Sequence, residues 1–289
     1  MNSEEISTSQ NDIIGEVTYY TTSYEDTLID LGRSYNLSFN EILSANPNIT
    51  DPWVPGAGIN LLMPTQHIIP YGKKEGIIVN IADLRVYFFL NNESDQIYSF
   101  PIGIGRYGWN TPLGKAFVTN KRKNPSWNVP KSIREEDPSW PPVVPPGPDN
   151  PLGSRAIYLS MPSYLLHGTN KPWGVGMKVS HGCIRLYPES IEKLYDLVEI
   201  NTKINIVDQP VKAGWKDDLL YIEVHHTPSY AREIEAPLPV APEYLLPVAA
   251  EVIQRAAGVD ISLVNWDLVV NAVMEGSGYP KVISNNKRK

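Results

Sequence analysis

One short stretch of this sequence combines a thiol, two imidazoles and several glycines. HGTNKPWGVGMKVSHGCIRL begins at His167, ends at Leu186 and contains Cys183, the single cysteine among 289 residues. A cysteine attacks a carbonyl as the thiolate, and a neighbouring imidazole can take the thiol proton and later give it to a leaving amine. Sequence spacing leaves both His167 and His181 open as this base. The stretch therefore predicts a nucleophilic cysteine.

The glycine inside SHGC predicts that the backbone beside the thiol helps to stabilise negative charge on a substrate. Residues two apart in an extended segment point to the same side, so we expect His181, Cys183 and Arg185 to share one face. Gly182 allows a substrate to approach the backbone closely. Successive N–H groups around Gly182 and Cys183 could hold a developing oxyanion, and each such donor contributes about 3 kcal/mol.

Other interpretations of the histidines and the thiol stay open from the residues alone. Cys183 could be a packed, unreactive thiol, or it could bind a catalytic zinc together with His167 and His181, because such a zinc usually has three protein ligands. The pair His225 and His226 lies in a predicted strand, where adjacent side chains face opposite ways. We therefore expect that pair to be structural or at the surface.

Composition excludes several classes of partner. The formal net charge of −7 and the sequence pI near 5.3 disfavour binding to nucleic acid or to anionic lipid. The sequence has no apolar run of about 18 residues, so no membrane span is predicted. The opening residues MNSEEISTSQNDIIGEV lack the basic and apolar regions of a signal peptide.

The elements that must position the thiol are mostly strands. IIVNIADLRVYFFL, QIYSFPIGIG and KAFVTN are rich in branched and aromatic residues and predict a sandwich or small barrel. YPESIEKLYDLV then predicts a helix and TKINIV a strand. Nine prolines between Pro125 and Pro151 predict a stiff extended loop rather than sheet, and we expect this loop to form a wall of the site.

The flanking regions predict two further units, which makes the fold class multidomain α+β. Residues 16–66 predict a small βααβ module, in which Ser38 and Glu41 form a capping box. A linker follows, in which we expect His67 to be solvated at the surface. The mostly-β, sandwich-like catalytic domain spans 75–208, and a C-terminal strand and helix region of unknown role spans 209–289.

The first module resembles a LysM module. DTLIDLGRSY, ILSANP and PGAGINLLMP carry the resemblance, which covers essentially the whole segment. It implies binding to the N-acetylglucosamine-containing glycan of peptidoglycan or chitin. A non-catalytic peptidoglycan-binding protein with an inert thiol is therefore one alternative function.

The second region resembles the YkuD-type catalytic domain of the L,D-transpeptidases. HGT followed by SHGCIR carries this resemblance, together with VNIADLRVYFF, PIGIGRYGWNTPLGKAFV and NPLGSRAIYL. It implies that Cys183 is the nucleophile and His167 the general base, with the Gly168 carbonyl orienting the imidazole. It also implies an oxyanion pocket made by the N–H groups of His181, Gly182 and Cys183.

The same resemblance assigns supporting roles and a reaction. Ser180 and the His181 ring would support the pocket, and Arg185 would pair with a substrate carboxylate through its bidentate fork. The enzyme would cleave the terminal D-Ala from a peptidoglycan tetrapeptide stem and transfer the acyl group to an amine. Transfer to water would make it an L,D-carboxypeptidase. The resemblance implies no cofactor and no metal.

The order of the three regions is similar to that of periplasmic L,D-transpeptidases of Gram-negative bacteria. This similarity implies that the acceptor is another stem or the lysine of an envelope protein such as an outer-membrane lipoprotein. A periplasmic location implies that a signal peptide preceding this sequence has been removed. Acylation of the cysteine by carbapenems is a further implied property.

Overall fold

The computed structural model describes residues 6–7, 11–91, 94–226 and 241–288. Its strands are β1 (Ile6–Ser7), β2 (Ile13–Ile14), β3 (Thr18–Thr21), β4 (Asn60–Met63), β5 (His67–Ile68), β6 (Gly76–Asn80), β7 (Arg85–Asn91), β8 (Ser94–Gly105), β9 (Gly114–Lys123), β10 (Trp127–Asn128), β11 (Val143–Val144), β12 (Arg155–Leu159), β13 (Leu165–His167), β14 (Lys178–Ser180), β15 (Ile184–Leu186), β16 (Lys203–Val207), β17 (Val211–Lys216), β18 (Leu219–Val224) and β19 (Lys281–Val282). Its α-helices are α1 (Leu28–Ser34), α2 (Phe39–Ala45), α3 (Lys131–Glu136), α4 (Pro188–Leu197), α5 (Leu246–Ala257) and α6 (Trp266–Glu275).

Eight of the central strands pair in a closed ring. The order is β8, β15, β13, β12, β9, β16, β6, β7 and back to β8, with β13–β15 and β16–β6 parallel and the other pairs antiparallel. β8 is twelve residues long, so it pairs with β7 over most of its length and with β15 near its end. Of the two predicted alternatives, the structure has the small closed barrel, so the description of this domain as sandwich-like is corrected. Apolar residues of the barrel form a core with Ile191 and Leu194 of α4.

The N-terminal module has the predicted strand, helix, helix, strand order. Strands β3 and β4 pair antiparallel, and the Thr27 side chain caps the start of α1. The predicted capping box is confirmed, since Ser38 accepts from the Glu41 N–H and the Glu41 side chain accepts from the Ser38 N–H. Apolar side chains including Leu28 and Ile42 form a separate small core between these elements.

The expected linker is buried rather than exposed. β5 pairs with β2, and His67 is only 2% exposed, so the expectation of a solvated His67 is wrong. The neighbouring Ile68 and Ile69 are also buried. Their apolar side chains hold the segment in the interior, although turn residues flank it in the sequence.

The proline-rich segment, residues 125–151, folds around its own small core. β10 pairs with β11, α3 lies between them, and Val129, Ile133 and Val144 pack together with two tryptophans. The expectation of an extended loop without sheet is therefore wrong. The prolines flank the two short strands and Pro130 precedes α3, so they remove no N–H that the strand pairing requires.

The C-terminal region has its own sheet and core. β17, β18 and β19 pair antiparallel, and α5 and α6 contribute to the same core as these strands. His225 Nε2 lies 2.6 Å from Glu223 Oε1, whereas His226 Nε2 donates to the Val273 carbonyl at 2.6 Å. The two rings thus have different partners, as the structural interpretation of the pair requires. No helix in the described parts of the chain is long and apolar enough to cross a membrane.

Candidate active site

Two paired parallel strands bring the predicted base and the predicted arginine together. In the register of β13 and β15, His167 lies opposite Arg185 and Leu166 opposite Ile184. Leu166 and Ile184 are buried in the barrel core. Because side chains alternate along a strand, His167 and Arg185 share the other face. Neighbouring strands are about 5 Å apart, so the imidazole and the guanidinium are close neighbours.

Cys183 lies directly before β15, two residues from Arg185. Its Sγ donates a weak hydrogen bond to the Ser163 carbonyl, at 3.5 Å. Burial raises the pKa of the Cys183 thiol, and the Leu165 backbone and the charge of Arg185 only partly oppose this. The resting cysteine is therefore a thiol, and its proton must leave during attack on a carbonyl.

His167 is held as a neutral imidazole. Its Nδ1 donates to the Gly168 carbonyl at 2.5 Å, which leaves Nε2 with a free lone pair. Burial lowers the pKa of His167 to about 3, the charge of Arg185 adds to this, and the carbonyls of Gly168 and Pro151 oppose it. At neutral pH the ring can therefore accept a proton, as a general base must.

Arg185 is a partly buried cation with an unsatisfied donor. Burial lowers the pKa of its guanidinium, against the opposite effect of Cys183. Its Nε is buried and has no hydrogen-bond partner within the described ranges. A buried donor without a partner costs free energy until a ligand satisfies it. A carboxylate is the natural ligand because it matches the fork of the guanidinium.

The turn between β14 and β15 is closed by Ser180. The Ser180 hydroxyl donates to the Cys183 carbonyl at 2.6 Å and accepts from the Gly182 N–H at 3.1 Å. Gly182 has a φ of +102°, and a Cβ there would lie 2.9 Å from the Tyr164 ring. The position therefore requires glycine. Because the Gly182 N–H already serves Ser180, the N–H groups of His181 and Cys183 are the better candidates for an oxyanion.

Thr111 is a supporting residue that the sequence reasoning did not single out. Its hydroxyl donates to the Gly182 carbonyl at 2.8 Å and accepts from the Gly105 N–H at 3.1 Å. This bridge fixes the turn to the end of β8. The signal was present in the stretch NTPLG, which contains Thr111, but nothing in the spacing indicated its partner 71 residues away.

The His181 side chain does not share the surroundings of Cys183. Its Nε2 lies 3.1 Å from both Glu136 Oε2 and Arg106 Nη2, and its ring packs edge-on against Trp109 at 4.9 Å. The expected common face is therefore wrong for His181, because the φ of Gly182 is positive and the segment is not extended there. Cys183 and Arg185 lie beyond this point and remain close enough to act on each other's pKa. Of the two candidate bases, the structure places His167 beside the β15 strand and His181 against the proline-rich segment.

Comparisons with known proteins agree with this geometry. The family model described as the L,D-transpeptidase catalytic domain matches residues 74–206. The probable L,D-transpeptidase YcfS of Escherichia coli K12 is 38% identical over 223 residues, which cover 74% of this chain and 69% of that protein. The probable L,D-transpeptidase ErfK/SrfK of the same organism is 36% identical over 266 residues, 88% of this chain and 81% of that protein.

The chain belongs to the L,D-transpeptidase family. Its activity is that of a peptidoglycan L,D-transpeptidase, and it is an enzyme rather than only a wall-binding protein. The region matched to the family contains the strands β13 and β15 and the turn that connects Ser180 to Cys183.

The zinc interpretation lacks structural support in this L,D-transpeptidase. Across residues 11–91, 94–226 and 241–288, the group of three ionisable side chains that could hold an ion is Asp83, Glu223 and His225. His167 and His181 have separate partners and do not converge on Cys183 as a ligand set.

Proposed function

We propose that this L,D-transpeptidase uses Cys183 as its nucleophile and His167 as its general base. Its substrate is a peptidoglycan tetrapeptide stem, from which it removes the terminal D-Ala. The observation that carries the proposal is the position of Arg185 beside both groups, with a buried Nε that finds no partner in the described parts of the chain. A substrate carboxylate that satisfies Arg185 would bring the adjacent peptide to the thiol.

Acylation follows from the protonation states. Cys183 Sγ attacks the carbonyl of the third stem residue, at the L-centre of its diamino acid, while its proton passes to His167 Nε2. The N–H groups of His181 and Cys183 stabilise the oxyanion that forms. The C–N bond then breaks, the proton passes to the amine of D-Ala, and a thioester remains on Cys183. The Gly168 carbonyl orients His167 throughout, through the Nδ1 contact.

Deacylation requires an amine acceptor, which is the amine of another stem or the lysine of an envelope protein such as an outer-membrane lipoprotein. The acceptor amine attacks the thioester and gives its proton to His167, which returns it to the departing sulfur. If water attacks instead, the products are those of an L,D-carboxypeptidase. The compact fold of residues 125–151 supports the role of the proline-rich segment as a wall that limits water.

The N-terminal module is proposed to hold the enzyme on glycan, as its resemblance to LysM implies. Its exposed aromatic side chains support this role, since Tyr24 is 81% and Trp53 54% exposed and such rings offer apolar faces to a ligand. Peptidoglycan as substrate is consistent with a location in the cell envelope, and we propose the periplasm of a Gram-negative bacterium.

Mass spectrometry of disaccharide-tetrapeptides incubated with the enzyme tests the nucleophile and the reaction. We expect loss of D-Ala together with a new amide when an amine is added, and no change with Cys183→Ala. The control is thermal unfolding of Cys183→Ala, which should match that of the wild type. Full turnover by Cys183→Ala would contradict the assignment, whereas loss of D-Ala without an amide would favour the L,D-carboxypeptidase.

A further inference from the structure

A charged contact joins the proline-rich segment to the turn beside the nucleophile. Glu136, the last residue of α3, forms an ion pair with Arg106 Nη2 and lies 3.1 Å from His181 Nε2. His181 Nε2 lies at the same distance from Arg106 Nη2, which can only donate, as from Glu136 Oε2, which can only accept. Nε2 therefore donates to Glu136 in the tautomer that carries the proton there and accepts from Arg106 in the other. Burial opposes ionisation of Glu136, but the hydrogen bonds from Arg106 and His181 lower its pKa overall. Glu136 is thus charged at neutral pH.

We propose that Glu136 is a positioning residue, which acts through His181 to hold the Ser180–Cys183 turn in the geometry that stabilises the oxyanion. This inference rests on the proposed oxyanion role of that turn.

The turn is held from three directions. The Arg106 N–H donates to the Ser180 carbonyl at 2.9 Å, and Thr111 donates to the Gly182 carbonyl. Both of these contacts come from the chain that follows β8. Glu136 supplies the third contact, at the His181 ring, and it alone of these three groups belongs to the proline-rich segment. The orientation of the turn is therefore coupled to a wall of the site.

The proline-rich segment, which carries Glu136, is held together by its own core and by buried hydrogen bonds. Ile133 of α3 is buried in the small core of the proline-rich segment. The side-chain amide of Asn150, itself 1% exposed, donates to the carbonyls of Pro125 and Pro145 at 2.9 and 3.0 Å. These contacts close the segment on itself, so Glu136 is presented from a defined position. A displacement of about 1 Å at a catalytic group can cost on the order of 100-fold in rate.

Two reactions of the same thiol separate positioning from thiol reactivity. Acylation of Cys183 by a carbapenem proceeds through an oxyanion, whereas alkylation by iodoacetamide does not. We expect Glu136→Gln to slow acylation by at least about 10-fold and to leave the alkylation rate unchanged. This is less than the about 100- to 1000-fold cost of removing an oxyanion donor, because the variant shifts the turn without removing its N–H groups. Glu135→Gln, a neighbour on the same helix that pairs with Lys131 at 3.2 Å, is the matched control and should change neither rate.

The outcomes distinguish this inference from the proposed function. Equal acylation of Glu136→Gln and wild type overturns the inference, and so does an equal loss in both reactions. The Glu136 side chain is 45% exposed, so the variant should fold, and circular dichroism checks this. In a His181→Asn background, Glu136→Gln should cause no further loss, because it acts through the ring; a further 10-fold loss would overturn the inference. Acylation of Cys183→Ala by the carbapenem would instead contradict the nucleophile.

Discussion

The structure buries ionisable side chains in two regions and treats them in opposite ways. In the active site, Arg185 has a buried Nε with no hydrogen-bond partner among the described residues, and His167 is held neutral. In a second region, which we call the ionic junction (Glu41, His67, Asp83, Arg85, Lys212 and Glu223), the carboxylates pair with Arg85 and Lys212, and burial lowers the pKa of the His67 ring between them. Unpaired charge favours a ligand, whereas paired charge holds parts of the protein together.

The ionic junction connects all three units of the chain. Glu41 of the N-terminal module pairs with Arg85 of the barrel at 2.6 Å. Lys212 of the C-terminal region lies 2.7 Å from Asp83 and 2.8 Å from Glu223. The ammonium of Lys212 thus serves as the cation for two of the carboxylates that could otherwise hold a metal ion. We therefore expect the free energy of unfolding to depend on the ion pairs of the ionic junction, and turnover to depend on Arg185 in the active site.

Removal of Lys212 should have the largest effect on stability. Lys212→Met leaves two buried carboxylates facing each other, and loss of one partner of a buried pair costs about 3–5 kcal/mol. Urea unfolding measures this as a lower midpoint. Lys216→Met on the same strand is the control and should stay within about 0.5 kcal/mol of wild type. If Lys212→Met lowered the free energy of unfolding as little as the control does, the ion pairs of the ionic junction would not stabilise the protein as the comparison requires.

Removal of Arg185 should affect turnover instead. Arg185→Ala deletes hydrogen bonds to a substrate carboxylate, which are worth about 1.5–3 kcal/mol each when a charged group takes part. We expect kcat/KM for the tetrapeptide to fall by at least about 10- to 100-fold, which corresponds to the loss of one such bond. The free energy of unfolding should stay equal or rise, because the variant removes a partly buried cation whose Nε has no hydrogen-bond partner among the residues that the structure describes. A destabilised Arg185→Ala would mean that the arginine has a structural partner. Arg185→Lys should restore little, since lysine lacks the bidentate fork.

Two buried histidines, one in each region, should make stability fall in mild acid. Burial is the main cause that lowers the pKa of both His67 and His167. The unfolded chain takes up these protons near pH 6.5 and the folded chain does so only at lower pH, so the free energy of unfolding falls below pH 6.5. Each histidine contributes at most about 1.4 kcal/mol per pH unit, and the contribution of His167 continues to about pH 3.

Urea midpoints at pH 7.5, 6.0 and 5.0 measure this dependence. His67→Gln removes one of the two titrating rings and should reduce the slope while leaving the contribution of His167. An unchanged slope would show that His67 is already protonated between its two carboxylates, each 3.8 Å away. The junction would then contain one more ion pair than the neutral ring implies.

Local signals in the sequence predicted the elements, and contacts between distant segments escaped them. The capping box of Ser38 and Glu41 spans three residues, so the start of α2 could be predicted. The parallel pairing that sets His167 beside Arg185 depends on the barrel, and spacing alone left His167 and His181 equivalent. Only the family resemblance favoured His167 in advance.

Two of the incorrect expectations, those for His67 and for the proline-rich segment, have one physical cause. Turn residues around His67 and prolines around residues 127–144 were interpreted from local propensity, but tertiary packing decided both. His67 is buried because its neighbours join a core, and the proline-rich segment folds because its tryptophans and Ile133 pack together. The Glu136 contact spans 45 residues to His181, which no periodicity could reveal.

The smallest effect should come from the exposed ion pair between the module and the barrel. Arg33 donates twice to Glu189, at 2.8 Å each, but the side chains are 43% and 52% exposed. Water and salt screen such pairs, which are worth about 0–1 kcal/mol. A double-mutant cycle with Arg33→Gln and Glu189→Gln should give a coupling below 1 kcal/mol that vanishes in high salt. A larger coupling would mean that the exposed contact, and not only the buried pair of Glu41 and Arg85, attaches the module. At this interface an exposed ion pair would then stabilise the protein as a buried one does, because the bidentate geometry would matter more than screening by solvent.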